Sequence, residues 1–437
     1  MDALTVIDIQ GRAVRKPFDF EYVRRNAEQA LSAQLRRKEV TLLLGPRQCG
    51  KTCLLRWLVS QVEETGKKRV LYLNMDSLDL RSVFASPAEL ARFLLTRGYT
   101  RGDVAVIDEV QRLQDPGLYV KELQDLETGV KLVVSGSAST EIRARTREHL
   151  TGRRRVVDLA PLSLGELVRH GGAAGVPDAP PDAATAGLAR RLFEEMAVFG
   201  GYPAAWNESD PAERVAVVAG IYDTYVKRDV VDFLGVRNVA RFNDVVLALA
   251  GQVGAPVTWS EVATLVGADV RSVRSYVDAL EKTYVLRQLR PLSGRGRNEI
   301  GKSPKCVFVD NGLLNACGRG FGAFAQRADR GALTENLVLS EILKGGPVEP
   351  RYWRSTSGAE VDLVLEFAGN RIPIEVKAGA LPRPLVPRGL RSFIERYAPP
   401  AAYVLHSGPV LETTVQSTPV RFLPAWTALL QRPWERA

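Results

Sequence analysis

Histidine and cysteine are scarce. In 437 residues there are three histidines, at 149, 170 and 406, and four cysteines, with no C-x-x-C pair among them. A structural zinc site draws on Cys and His ligands clustered at short spacing, and a disulfide framework needs cysteines in number. Both are excluded, and Cys49, Cys53, Cys306 and Cys317 read as reduced, mostly buried thiols. Long apolar runs are lacking too. No segment approaches the roughly 18 apolar residues that cross a bilayer, and MDALTVIDIQGRAVRK at the N-terminus has no signal-peptide core. A cytoplasmic protein without membrane contact is the expectation. Excess charge is modest: the formal net charge is +9, which permits nucleic-acid binding without demanding it.

What is present suits a globular chain of two to four domains, with 45% apolar and 25% charged residues. A helical stripe runs from Pro17 through Phe20, Val23, Ala27, Ala30 and Leu31. From Val40, the short apolar runs VTLLL, RVLYL, DVAVID, KLVVSGS and RRVVDL alternate with helical stretches. That alternation predicts a parallel sheet covered on both faces. GGAAGVPDAPPDAATAG reads as a flexible insertion, and residues 188–250 as mostly helical, broken by GGYP at 200–203. Next come a helix around SEVATLV, a turn at Gly267, a helix from Val270 to Leu280, and two strands, TYVLRQLRPL and KCVFVD, about a Gly/Arg loop. This is the order of a winged helix. Arg271 and Arg274 in the second helix, and Arg295 and Arg297 in the loop, are its candidate DNA contacts. The last segment is α/β again.

Gly45-Pro46-Arg47-Gln48-Cys49-Gly50-Lys51-Thr52 fits G-x-x-x-x-G-K-[ST], between the strand VTLLL and the helix KTCLLRWLVSQVEE. Glycines let backbone N–H groups wrap phosphate oxygens at a helix N-terminus. The stretch from Gly45 to Cys53 is therefore the expected ATP-binding surface, with Lys51 on the β/γ-phosphates and Thr52 on Mg²⁺. VAVI-Asp108-Glu109 is a strand closing in two acids: Asp108 for Mg²⁺, Glu109 to orient and polarise the attacking water. Ser137, closing KLVVSGS, is either a contact to the γ-phosphate or its water, or a hydroxyl cap. The layout resembles AAA+ ATPases. That resemblance implies an arginine finger after the helix STEIRARTREHL, for which Arg153 is the candidate ahead of Arg154 and Arg155. A finger reaching a neighbour's ATP implies a homo-oligomer.

Near the C-terminus, Asp362, Val364 and Glu366 alternate with Val361, Leu363 and Leu365, and FAGNR turns the chain into IPIEVK. An antiparallel pair of strands would bring Asp362 beside Glu375 and Lys377. Glu335, in the apolar helical segment LTENLVLSEILK, is a possible further acid. Two carboxylates and a strand carbonyl suit oxygen-ligated Mg²⁺, and a lysine can stabilise developing phosphate charge. The arrangement resembles the PD-(D/E)XK nuclease motif, with Asp362 and Glu375 as metal ligands and Lys377 as its lysine. A hairpin with a Glu–Lys pair on a solvated face is the plain alternative.

Taken end to end, GPRQCGKT, VAVIDEVQ, SGS, LTGRRR…LAPLSLGEL, GGYP, YVKRDV, the winged helix and GAEVDLVLE…IPIEVK are similar to a prokaryotic family of uncharacterised AAA-type ATPases with a C-terminal domain of unknown function. The implied division is an AAA+ P-loop domain over 1–165, a helical lid over 166–250, a winged helix over 251–327 and a nuclease-like domain over 328–437. Tyr225, Lys227, Arg228 and Asp229 belong to a family motif without a physical account. Two functional readings follow. One is an ATP-driven protein acting on DNA, with Mg²⁺-dependent cleavage by the tail. The other is an ATP-gated switch whose nuclease-like domain only binds.

Overall fold

In a computed structural model the chain forms two compact units, Met1–Pro161 with Lys282–Tyr284, and Leu162–Glu281 with Val285–Ala437. The structure describes residues 3–64, 66, 68–137, 152–173, 181–229, 238–292, 303–346, 349–355, 357–367 and 369–436. Among them no helix is long and apolar enough to cross a membrane.

The first unit is built on five parallel strands, β1 (Val40–Leu44), β2 (Val70–Asn74), β3 (Val104–Asp108), β4 (Lys131–Gly136) and β5 (Arg154–Asp158), in the order β2-β3-β4-β1-β5. Every residue of β1, β3 and β4 is buried. Strands covered on both faces need continuous apolar runs, which is why these segments show no alternation. β4 lies between β1 and β3, so the chain segments leaving these three strands emerge side by side at their C-terminal ends.

One expectation is corrected here. The helical stripe drawn from Pro17 becomes a helix only at Ala27–Gln34, and Ala3–Arg15 forms another that the stripe did not include. Between them, Phe18 and Tyr22 stack at 4.9 Å, and Arg56 lies 4.4 Å above the Phe18 ring. Arg25, buried, donates to the carbonyls of Cys49 at 2.8 Å and Ala160 at 2.6 Å. Aromatic packing and a buried guanidinium hold residues that the periodicity would have wound into a helix.

Among its described residues the second unit carries eight strands: β6 (Leu286–Pro291), β7 (Lys305–Phe308), β8 (Arg351–Arg354), β9 (Glu360–Phe367), β10 (Asn370–Val376), β11 (Ala402–His406), β12 (Leu411–Val415) and β13 (Thr418–Pro424). Their order is β12-β13-β11-β10-β9-β8-β6-β7. β9 and β10 form the expected antiparallel pair, with Leu363 opposite Ile374. Pro373 is tolerated because β11 joins only from Ile374 onward. The alternation read for β9 is interrupted, since Val364 is buried along with its neighbours Leu363 and Leu365.

Ahead of this sheet, the helix Trp259–Val266 ends on Gly267 in the left-handed conformation (φ 62°, ψ 41°), and a second helix spans Val270–Lys282. Val262, Val266, Val273, Val277 and Leu280 pack with Leu286 and Phe308. β6 and β7 are antiparallel, and β6 also pairs with β8. Gly200 and Gly201 of GGYP close onto Asp310. Its carboxylate accepts from Gly201 N at 2.6 Å, and a Cβ on Gly200 would fall 2.0 Å from it.

Candidate functional site

At the C-terminal ends of β1, β3 and β4, the loop after β1 turns through two positive φ angles, Gln48 at 60° and Gly50 at 99°. A Cβ on Gly45 would stand 2.1 Å from the Leu159 carbonyl oxygen, so only glycine fits. Lys51 is buried, its Nζ donating to Gly45 O at 3.1 Å and Pro46 O at 2.8 Å. Cys49 is buried and Cys53 half-buried, and burial pushes both thiols up. Pro46 is buried, Arg47 half-buried and Gln48 exposed.

Asp108 is fully buried and serves several donors at once. Its Oδ2 accepts from Thr52 Oγ1 at 3.0 Å and from the Tyr72 hydroxyl at 2.8 Å. Its Oδ1 accepts from the Ser135 hydroxyl and from the Glu109 amide at 3.1 Å. Glu109 sits in the left-handed region (φ 57°, ψ 42°), which is uncommon for a residue with a side chain. Burial, partly opposed by Lys51, raises its carboxyl above the usual range, as suits a proton acceptor. Gln111 donates to Glu109 and to the Ser137 hydroxyl, the latter at 2.8 Å. Tyr72, Ser135 and Gln111 were not singled out from the sequence. The strand order brings them in, and only Gln111, three residues after Asp108, could have been flagged by its spacing.

Arg153 lies at the other end of the sheet, where its carbonyl accepts from Val40 N at 3.0 Å. One strand length, about 15 Å at the usual rise, separates it from the phosphate loop. Its guanidinium pairs with Asp125 at 2.6 Å on the surface.

A second polar centre lies in the second unit, where β9, β10 and the helix Arg330–Lys344 bring Asp362, Glu375, Lys377 and Glu335 into one electrostatic cluster. Asp362 Oδ2 accepts from Val376 N at 2.8 Å, and Lys377 Nζ donates to Glu375 Oε1 at 2.7 Å. Glu375 is 6% exposed, and its Oε2 is buried without a hydrogen-bond partner. Lys305, from β7, completes the cluster. Only 1% exposed, its Nζ lies 3.0 Å from Glu335, 2.7 Å from Glu360 and 3.7 Å from Asp362. Burial pulls its ammonium down, but Glu335, Asp362 and Glu360 outweigh that and hold it above its usual value. Burial first, then repulsion from Asp362, pushes both Glu335 and Glu375 up to about 7. Among the described residues no three His, Cys, Asp or Glu side chains are grouped to hold a metal ion.

Arg271 and Arg274 are exposed on the helix Val270–Lys282, opposite its buried Val273 and Val277. Arg295 and Arg297 lie outside the described residues. Tyr225 is buried, and the side chains of Lys227, Arg228 and Asp229 lie outside the description.

Residues 37–168 match an AAA domain model, 190–324 a domain of unknown function (DUF8612), and 330–424 another (DUF4143). The AAA match supports an AAA-type P-loop ATPase. An uncharacterised protein of Mycobacterium tuberculosis is 29% identical over 85% of this chain and 77% of its own length. One of Haemophilus influenzae is 25% identical over 70% and 75%. Among solved structures, Pif1 helicase from Candida albicans is 16% identical at a TM-score of 0.25, covering 40% of this chain and 48% of its own. The S. cerevisiae Hsp104–ADP complex is 14% identical at 0.31, covering 63% and 40%.

Proposed function

We propose that this protein hydrolyses ATP and couples the cycle to DNA. The observation that carries the hydrolytic part is Asp108, buried at the meeting point of Thr52, Ser135 and Glu109 beside the Lys51 loop. Lys51 and the loop amides would bind the phosphates, and Thr52 and Asp108 would hold Mg²⁺, which neutralises charge on the phosphate oxygens. Glu109, with its raised pKa, would take the proton of the attacking water as the bond to the γ-phosphorus forms and the bond to the β–γ bridging oxygen breaks.

The DNA part is supported by exposed Arg271 and Arg274 on the second helix of a helix-turn-helix pair followed by a hairpin. Arg153, remote from its own phosphate loop, would serve a neighbouring copy in a homo-oligomer. Mixing Arg153→Ala with Lys51→Ala chains should then restore turnover that neither has alone. Phosphate release measured over single-stranded, duplex, forked and four-way DNA tests the coupling. Turnover unchanged by every DNA would remove it.

The C-terminal part is read as a nuclease-like fold that binds without cutting. Lys305 supports this, because its ammonium already neutralises Asp362, one of the two proposed metal ligands, and Glu335, the possible further acid. Mg²⁺- or Mn²⁺-dependent cleavage that disappears in Asp362→Ala would overturn this reading.

A further inference from the structure

Gln111 belongs to no step described so far. It lies in the short turn Val110–Arg112 directly after Glu109 and is half-buried. Its Nε2 donates to Glu109 Oε2 and to Ser137 Oγ, the latter at 2.8 Å, and its Oε1 accepts from Ser137 N at 3.4 Å. An amide nitrogen has two hydrogens, and both are used. The consequence is a fixed polarity. Ser137 accepts from Gln111, so its own hydroxyl hydrogen is left to donate elsewhere. Glu109 has Oε2 engaged, which leaves Oε1 to accept. The Glu109 amide is itself held by Asp108 Oδ1 at 3.1 Å and Ser135 Oγ at 3.3 Å. The Glu109 amide is thus restrained from two strands, β3 and β4, and its side chain from the turn that follows β3.

We propose that Gln111 is a positioning residue for ATP hydrolysis, setting Ser137 as a donor to a γ-phosphate oxygen and Glu109 as an acceptor from the attacking water. This rests on the ATPase reading above. It makes glutamine, rather than glutamate, the required residue. A carboxylate at 111 only accepts, so it would repel Glu109 and draw the Ser137 hydrogen to itself.

The test uses the full chain with Gln111→Ala, Gln111→Glu, Ser137→Ala and the Gln111→Ala/Ser137→Ala double variant. Binding of a fluorescent ATP analogue with Mg²⁺ is read beside steady-state phosphate release and melting temperature. Expected is a Kd within threefold of wild type in Gln111→Ala. kcat should fall about tenfold in Gln111→Ala and further in Gln111→Glu. The double variant should be no slower than the slower single, because the two residues act as one unit. The inference is overturned if Gln111→Ala keeps kcat within twofold. It is equally overturned if the two losses multiply, or if Kd rises and the melting temperature falls along with kcat. Absence of turnover in the wild-type chain would instead sink the ATPase reading on which the inference stands.

Discussion

Replacing Lys305 by methionine keeps an unbranched stem of similar length and deletes one buried charge. The ammonium is 1% exposed and lies within 3.7 Å of Glu335, Glu360 and Asp362. Removing one partner of a buried ion pair costs about 3–5 kcal/mol, because the remaining charge is left uncompensated. Three acids share this cation, so the upper part of that range, about 4–5 kcal/mol, is expected at pH 8. Acid should relieve part of it. Glu335 is held at about 7 in the folded chain, against roughly 4.3 when unfolded. Between those values the folded state binds more protons than the unfolded one, so stability rises as pH falls through that window. Without Lys305 the Glu335 carboxyl should rise further. Recovery on the order of 1–2 kcal/mol is then expected at pH 5.5 relative to wild type. Urea unfolding followed by tryptophan fluorescence suits the measurement, since Trp206, Trp259, Trp353, Trp426 and Trp434 all belong to the second unit and Trp57 alone to the first. A loss below about 1 kcal/mol at pH 8, or the same loss at both pH values, would refute the assignment of Lys305 as the counter-charge of this centre.

Lys51→Ala should abolish ATP binding or turnover, and Glu109→Gln should bind ATP while hydrolysing it about a hundredfold more slowly; normal turnover in the latter removes Glu109 from its role. Arg25→Ala breaks buried bonds to the Cys49 and Ala160 carbonyls and should cost about 2–4 kcal/mol in thermal or urea unfolding, with weaker nucleotide binding; an unchanged melting temperature would count against that clamp. Arg271→Ala and Arg274→Ala should each flatten the log–log salt dependence of DNA binding by about 0.9, whereas unaltered slopes would take that helix off the DNA.

The nucleotide loop was legible because its chemistry is local. Gly45, Gly50, Lys51 and Thr52 act through backbone turns and a helix start that eight consecutive residues specify. The five parallel strands were legible for a related reason: burial on both faces leaves an uninterrupted apolar run. The β9–β10 pair followed from its turn and its apolar residues, although Val364 lies buried on the face read as acidic. The N-terminal stripe misled because Phe18, Tyr22 and Arg25 are held by contacts to Arg56 and the Cys49 and Ala160 carbonyls, far along the chain.

The sequence by itself determined where the glycine-rich loop and the acids stand along the chain, since their local geometry depends on neighbours within one turn or one strand. Tertiary structure alone decided how they are tuned. The insertion of β4 between β1 and β3 carries Ser135 and Ser137 to Asp108 and Gln111. The docking of β7 buries Lys305 among acids 30 to 57 residues away in sequence. Charges so distant along the chain interact strongly only once folding brings them together and removes the water that would screen them.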